Sequence, residues 1–217
     1  MKYHEPLNEI LGNKVQVKLL RVLVRTKSSF TGRELARLIG HSQNQTRLAL
    51  EELERNGLVV WQNAGRSHLY SIDKDNILIT DFLEAGFRLE DTLLNRLADI
   101  YSEEVGKDLV SVILFGSIAK GEEKPDSDID LIIVVRDKAE TNIVEDHVAE
   151  ASAKVTGRFG NQATAIVVKK TDYEKKIKQK KGMWREVAET GIKLSPHAGK
   201  VVSNMTISAS LRKRPGT

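Results

Sequence analysis

The chain contains no cysteine, which excludes a disulfide framework and any thiolate-held zinc site. It also lacks a long apolar run: the longest, Leu131 to Val135, falls far short of the roughly 20 residues that span a bilayer, so no membrane-embedded segment is expected. The opening MKYHEPLNEI has neither the basic segment nor the apolar stretch of a secretory signal, and the expected location is the cytoplasm. His4, His41, His68, His147 and His197 show no metal-ligand spacing and form no serine-histidine-aspartate arrangement. No repeats are visible. What remains is 217 residues of ordinary globular composition, 40% hydrophobic and 29% charged, enough for one large or two small domains.

Charge is unevenly spread. Residues 1–75 carry 12 Lys and Arg against 8 Asp and Glu, whereas residues 76–217 carry 22 of each. A basic N-terminal segment suits a polyanionic partner, because each neutralised phosphate releases condensed counterions.

Apolar residues from Leu7 to Val24 recur at helical spacing and predict one amphipathic helix ending before Ser28 and Ser29. Thr31 and Glu34 form a capping box that opens a second helix, stopped by Gly40. Ser42 and Gln45 repeat the pattern for a third, whose expected buried stripe is Leu48, Ala49, Leu50 and Leu53 and whose end is Asn56-Gly57. Residues 58–62 and 68–72 alternate like strands, and Asn63 to Ser67 between them is turn chemistry, giving a hairpin. With the phrase LALEELERNGLV, residues 8–73 resemble a winged helix-turn-helix domain. The resemblance implies that the third helix enters the major groove of duplex DNA, presenting Gln43, Asn44, Gln45, Thr46 and Arg47, with Arg66 at the wing tip.

Residues 76–106 continue with a long helical pattern assigned mainly to the second domain. Residues 109–135, LVSVILFGSIAKGEEKPDSDIDLIIVV, then read as a buried strand, a Gly-Ser turn, a polar loop and a second strand. Strand side chains alternate faces, so Asp128 and Asp130 project together while Ile129 points to the core. Two adjacent carboxylates repel unless a cation neutralises them, and an oxygen-only pair suits Mg2+ carrying substrate phosphates. Gly116 permits a close backbone approach, and Ser117 can hold a phosphate oxygen.

Gly116-Ser117, ten residues, then Asp128-Ile129-Asp130 resembles the nucleotidyltransferase superfamily related to DNA polymerase beta, particularly its minimal members. Trp184 to Leu194 extends the resemblance, which covers about residues 80–195. It implies that Asp128 and Asp130 bind the metal ions and that Gly116 and Ser117 bind a nucleoside triphosphate, with Lys120 as a further phosphate partner. Asp128, Asp130 and Ser117 are thereby the candidate catalytic residues. One departure matters: active members supply a third carboxylate from a later strand, here expected within residues 161–168, which contain no Asp or Glu. Glu145, Asp146 or Glu150 on the intervening helix are the alternatives. Residues 169–181 hold seven lysines against Asp172 and Glu174, a run that could touch nucleic acid but reads first as a solvated helix face.

The expectation is an α+β chain: a winged helix-turn-helix over residues 1–75, a small mixed-sheet nucleotidyltransferase fold with flanking helices over 76–195, and a basic tail over 196–217. Its leading function is a DNA-binding transcriptional regulator whose second domain binds Mg2+ and a nucleotide. Two alternatives stay open: an active enzyme moving a nucleotidyl group to an unidentified acceptor, and an antitoxin-like protein acting through a protein partner. A homodimer is expected by analogy with winged helices that read two half-sites.

Overall fold

The computed structural model describes residues 4–196. The chain divides into two compact units, the first running through Asp91 and the second from Thr92. Together they are α+β, as the sequence indicates. The tail beyond Pro196, with His197, lies outside the described residues.

The first unit opens with α1 (Pro6–Leu11) and α2 (Lys14–Thr26), followed by β1 (Phe30–Thr31), α3 (Gly32–Ile39), α4 (Gln43–Arg55), β2 (Val59–Ala64) and β3 (Ser67–Ile72). The single helix expected from Leu7 to Val24 is therefore two. Asn13 is extended and its side chain accepts the Val15 N–H at 2.8 Å, capping α2. Leu11 and Val15 keep helical phase across this break, so periodicity could not reveal it. The capping box at α3 forms with both Thr31 and Glu34 engaged, and Gly40 ends the helix at φ +68°. Antiparallel strands in the order β1-β3-β2 cover these helices, and β2 and β3 meet across a two-residue turn at Gly65-Arg66.

Leu19, Leu20, Leu23, Leu35, Leu50, Leu53 and Leu58 fill the core. Leu48, expected in that stripe, is 50% exposed. The sequence division at residue 75 also shifts: Ile79 and Leu83 of a π-helical segment (Leu78–Leu83) and Phe87 of α5 (Glu84–Val105) pack into this first core. Arg21 and Arg25 reach Glu90, and Arg25 also reaches Asp91, fixing the start of α5 to the same unit.

The second unit holds β4 (Leu109–Phe115), α6 (Gly116–Lys120), β5 (Ile129–Val135), α7 (Thr141–Phe159), β6 (Ala163–Lys169), α8 (Lys170–Gln179), α9 (Met183–Thr190) and β7 (Ile192–Leu194). The sheet runs β6-β5-β4-β7, with β5 and β6 parallel and the other pairs antiparallel. Side-chain alternation along β5 assigns the faces. Ile129, Leu131, Ile133 and Val135 pack with Leu97 and Tyr101 of α5 and Val144, Val148 and Val155 of α7. Ile132 and Val134 face the other way, against Val187 and the partly buried Tyr173, Ile177 and Trp184 of α8 and α9. Asp130 shares that second face.

Candidate functional site

β4 delivers its last residue, Phe115, opposite Asp130. The next residue is Gly116 at φ +76°, a left-handed conformation that favours glycine. A Cβ added there would lie 2.4 Å from Oδ2 of Asp130, so a side chain at position 116 would displace either this carboxylate or the turn. The sequence motif thus closes in space, with Gly116 against a carboxylate fourteen positions away. Asp128 stands two residues before Asp130, at the mouth of the same strand.

Burial pushes the Asp130 carboxyl above the ordinary carboxylate range, with the charges of Asp128 and Glu186 adding to it. A raised carboxyl pKa means that the folded chain holds this proton more tightly than the unfolded one. The associated stability is complete in acid and is lost as pH rises through the shifted value. Ionised Asp130 therefore costs stability near neutral pH. Asp130→Asn is expected to melt on the order of 1–2 °C higher than the parent without nucleotide or metal, a gain kept small by partial exposure. The difference should close as pH falls into the carboxylate range. Calorimetric melts at several pH values check this; a variant that melts lower near neutrality contradicts it.

Ser117 lies half-buried in the first turn of α6, and its carbonyl accepts the Glu122 N–H at 3.0 Å. Lys120, at the end of the same short helix, pairs with Glu186 of α9 at 2.7 Å. That hydrogen bond raises the Lys120 ammonium pKa. Sequence reading missed Glu186 because 66 positions separate it from Lys120 and no local pattern joins them. It missed Asn161 for the same reason: its amide donates to the Pro125 and Ser127 carbonyls, each at 2.9 Å, pinning the loop that leads into Asp128.

The strand expected to lack a third carboxylate is β6, and Thr164 occupies the position beside Asp130. Glu145, Asp146 and Glu150 do not approach: α7 packs on the opposite face of the sheet, and all three are exposed. Among the described residues, no three His, Asp or Glu side chains converge as a metal site.

The residues expected to meet DNA belong to the first unit. Ser42 caps α4 through the Gln45 N–H at 3.3 Å. Gln43, Asn44, Gln45 and Arg47 are exposed, and Arg66 is exposed at the hairpin turn. Arg47 is held along α4 by Glu51 and by Asn44 Oδ1. Thr46 is the correction: it is fully buried, and its hydroxyl donates to the Ser42 carbonyl at 2.9 Å, so it braces the helix start and cannot touch a ligand. An open groove of about 690 Å³ runs beside these residues, lined among others by Arg33, Gln43, Asn44, Arg47, His68 and Tyr70. Trp61 stacks on His68 with ring centroids 4.0 Å apart. Arg33 and His68 were not anticipated, since neither lies in the predicted recognition turns.

Residues 94–191 match the family described as nucleotidyltransferase domain. No curated protein matches the chain. Among solved structures, a toxin-antitoxin crystal structure with AMP-PNP is 17% identical, covering 47% of this chain and 73% of that one at a TM-score of 0.34. TrmBL2, an archaeal chromatin protein described with a novel mode of DNA binding, is 19% identical, covering 83% of this chain and 73% of that one at 0.24. At these scores neither structure bears on function. The family match and the mixed sheet together give the second unit a nucleotidyltransferase fold. Among the described residues no helix is long and apolar enough to cross a membrane.

Proposed function

We propose that the chain is a DNA-binding regulator whose nucleotidyltransferase domain holds a magnesium-bound nucleoside triphosphate as a signal. The observation that carries the nucleotide half is the close approach of Gly116 to Asp130, which leaves bare backbone beside a pair of carboxylates. Asp128 and Asp130 offer only oxygen donors, and burial, with the charges of Asp128 and Glu186, raises the proton affinity of Asp130. This donor set fits Mg2+ brought in by a triphosphate. When bound, the ion would offset the carboxylate and phosphate charges. Ser117 and Lys120 would meet phosphate oxygens, and Asn161 keeps the Asp128 loop in place.

The missing third carboxylate favours holding the nucleotide over transferring it. With Thr164 beside Asp130, no protein carboxylate from β6 is there to orient an attacking hydroxyl. The DNA half is a winged helix-turn-helix in which α4 and the β2-β3 hairpin address duplex DNA. Incubation with α-labelled ATP, GTP, CTP and UTP plus Mg2+ tests the reading. Label retained by the protein with no pyrophosphate released is the expected result. Label moved to an acceptor with stoichiometric pyrophosphate would replace sensing with catalysis. Sequencing DNA fragments that copurify with the protein tests the other half; no enrichment over input would remove it.

Glu186 competes with phosphate for Lys120 in this scheme. Glu186→Gln removes the competing charge while keeping the side chain's size, and nucleotide affinity should rise about two- to fivefold, the scale of one exposed ion pair. Equilibrium dialysis measures it. Weaker binding by the variant would make Glu186 an ally of the nucleotide instead.

A further inference from the structure

The net neutrality of residues 76–217 conceals a sharp separation of charge. Residues 169–181 alone hold seven lysines against two acids, a local excess of five positive charges. The rest of that half must then carry an equal acidic excess. α8 runs through the basic stretch, and its inward contacts are Tyr173 and Ile177, which pack with Ile132, Val134 and Trp184. Lys175, Lys176, Lys178, Lys180 and Lys181 are exposed. Lys176 lies 5.0 Å from the centre of the Trp184 ring, and Lys175 makes one long contact to Asp172 at 3.7 Å. Among the described residues, Lys178, Lys180 and Lys181 have no carboxylate partner. A solvated face at rest needs no such concentration, and mixed charge would keep it equally soluble.

We infer that the lysine face of α8, together with Lys180 and Lys181 just past its end, is a second duplex-DNA contact, binding the phosphate backbone without reading sequence. Charge complementarity chooses a polyanion. The choice of duplex DNA rests on the regulator reading above, because a first DNA contact on the same chain raises the effective concentration of the backbone at a second. Lysine suits this role: its ammonium is a point charge on a flexible stem that follows phosphates without fixed geometry.

The test uses the full chain and fluorescence anisotropy with a duplex of arbitrary sequence over a range of salt concentrations. Lys175→Glu/Lys178→Glu/Lys181→Glu is expected to lower the slope of log affinity against log salt by about 2 to 3, at about 0.9 for each phosphate that is no longer neutralised. At low salt the affinity should fall tenfold or more. Lys175→Arg/Lys178→Arg/Lys181→Arg should retain slope and affinity, which separates charge from any effect on folding. Arg47→Ala/Arg66→Ala is measured alongside. If that variant binds like the parent while the glutamate variant loses slope, the winged-helix reading fails and the α8 contact stands. An unchanged slope in the glutamate variant overturns the inference. So does tighter, lysine-dependent binding to a single-stranded RNA of the same sequence, which would assign the face to RNA.

Discussion

Replacing Gly116 with alanine is expected to weaken magnesium-nucleotide binding about 10- to 100-fold, the size of effect typical when a group supporting a metal ligand is disturbed. The new Cβ would stand 2.4 Å from Oδ2 and 3.3 Å from Cγ of Asp130, so either the carboxylate turns away or the β4-α6 turn shifts. The alanine must also adopt φ +76°, which costs about 1–2 kcal/mol and lowers the melting temperature by a few degrees. Gly121→Ala is the matched control. Gly121 ends the same short helix at φ +69°, yet a Cβ there meets nothing within 4 Å. It should carry the same conformational penalty while leaving nucleotide affinity near that of the parent. Equal affinities for the two alanine variants would mean that the close approach at Gly116 has no bearing on binding.

The second large effect concerns DNA. Arg47→Ala/Arg66→Ala should reduce affinity for a preferred duplex by about 1–3 kcal/mol for each arginine that reads a base, with a salt slope shallower by up to about 2 if both residues meet phosphates. Arg47 is paired with Glu51 and Asn44 on the exposed face of α4 and must exchange these partners for DNA, which sets its share of the loss toward the lower end of that range. Thr46→Ala should behave oppositely. It removes a fully buried side chain whose hydroxyl adds a second bond to a Ser42 carbonyl that already accepts the Thr46 N–H, so the variant loses packing and that bond and melts earlier while its folded fraction binds DNA like the parent. Mobility shifts across a salt series, paired with melting curves, separate the two. Full affinity in the arginine variant would take α4 and the hairpin out of the DNA interface.

The candidate site was legible wherever local rules decide the outcome. Alternation along β5 set Asp130 on the face of Ile132 and Val134, opposite Ile129 and Leu131, because β5 is a regular strand, and Asp128 precedes it closely enough for its charge to act on Asp130. Capping chemistry at Thr31 and Ser42 located α3 and α4 for the same reason. Thr46 escaped because polar residues in a recognition turn look alike in sequence, and only packing reveals that this hydroxyl bonds back to its own helix. Leu48 escaped in the other direction, since α4 presents an apolar residue where no core reaches it. The helical pattern of residues 76–106 reads as mainly the second domain's, yet Ile79, Leu83 and Phe87 pack into the first core and Leu97 to Val105 into the second, because an unbroken apolar stripe does not say which neighbour it will meet. Lys120 with Glu186 and Asn161 with the Asp128 loop are pairings of distant segments that only the folded sheet brings together.

The most direct measurement is a calorimetric titration of ATP, GTP, CTP and UTP, with and without Mg2+, into the parent chain and Asp128→Asn/Asp130→Asn. The account predicts saturable, magnesium-dependent binding of at least one nucleotide by the parent, abolished in the double variant. Absence of binding in the parent, or binding that survives removal of both carboxylates, would contradict it.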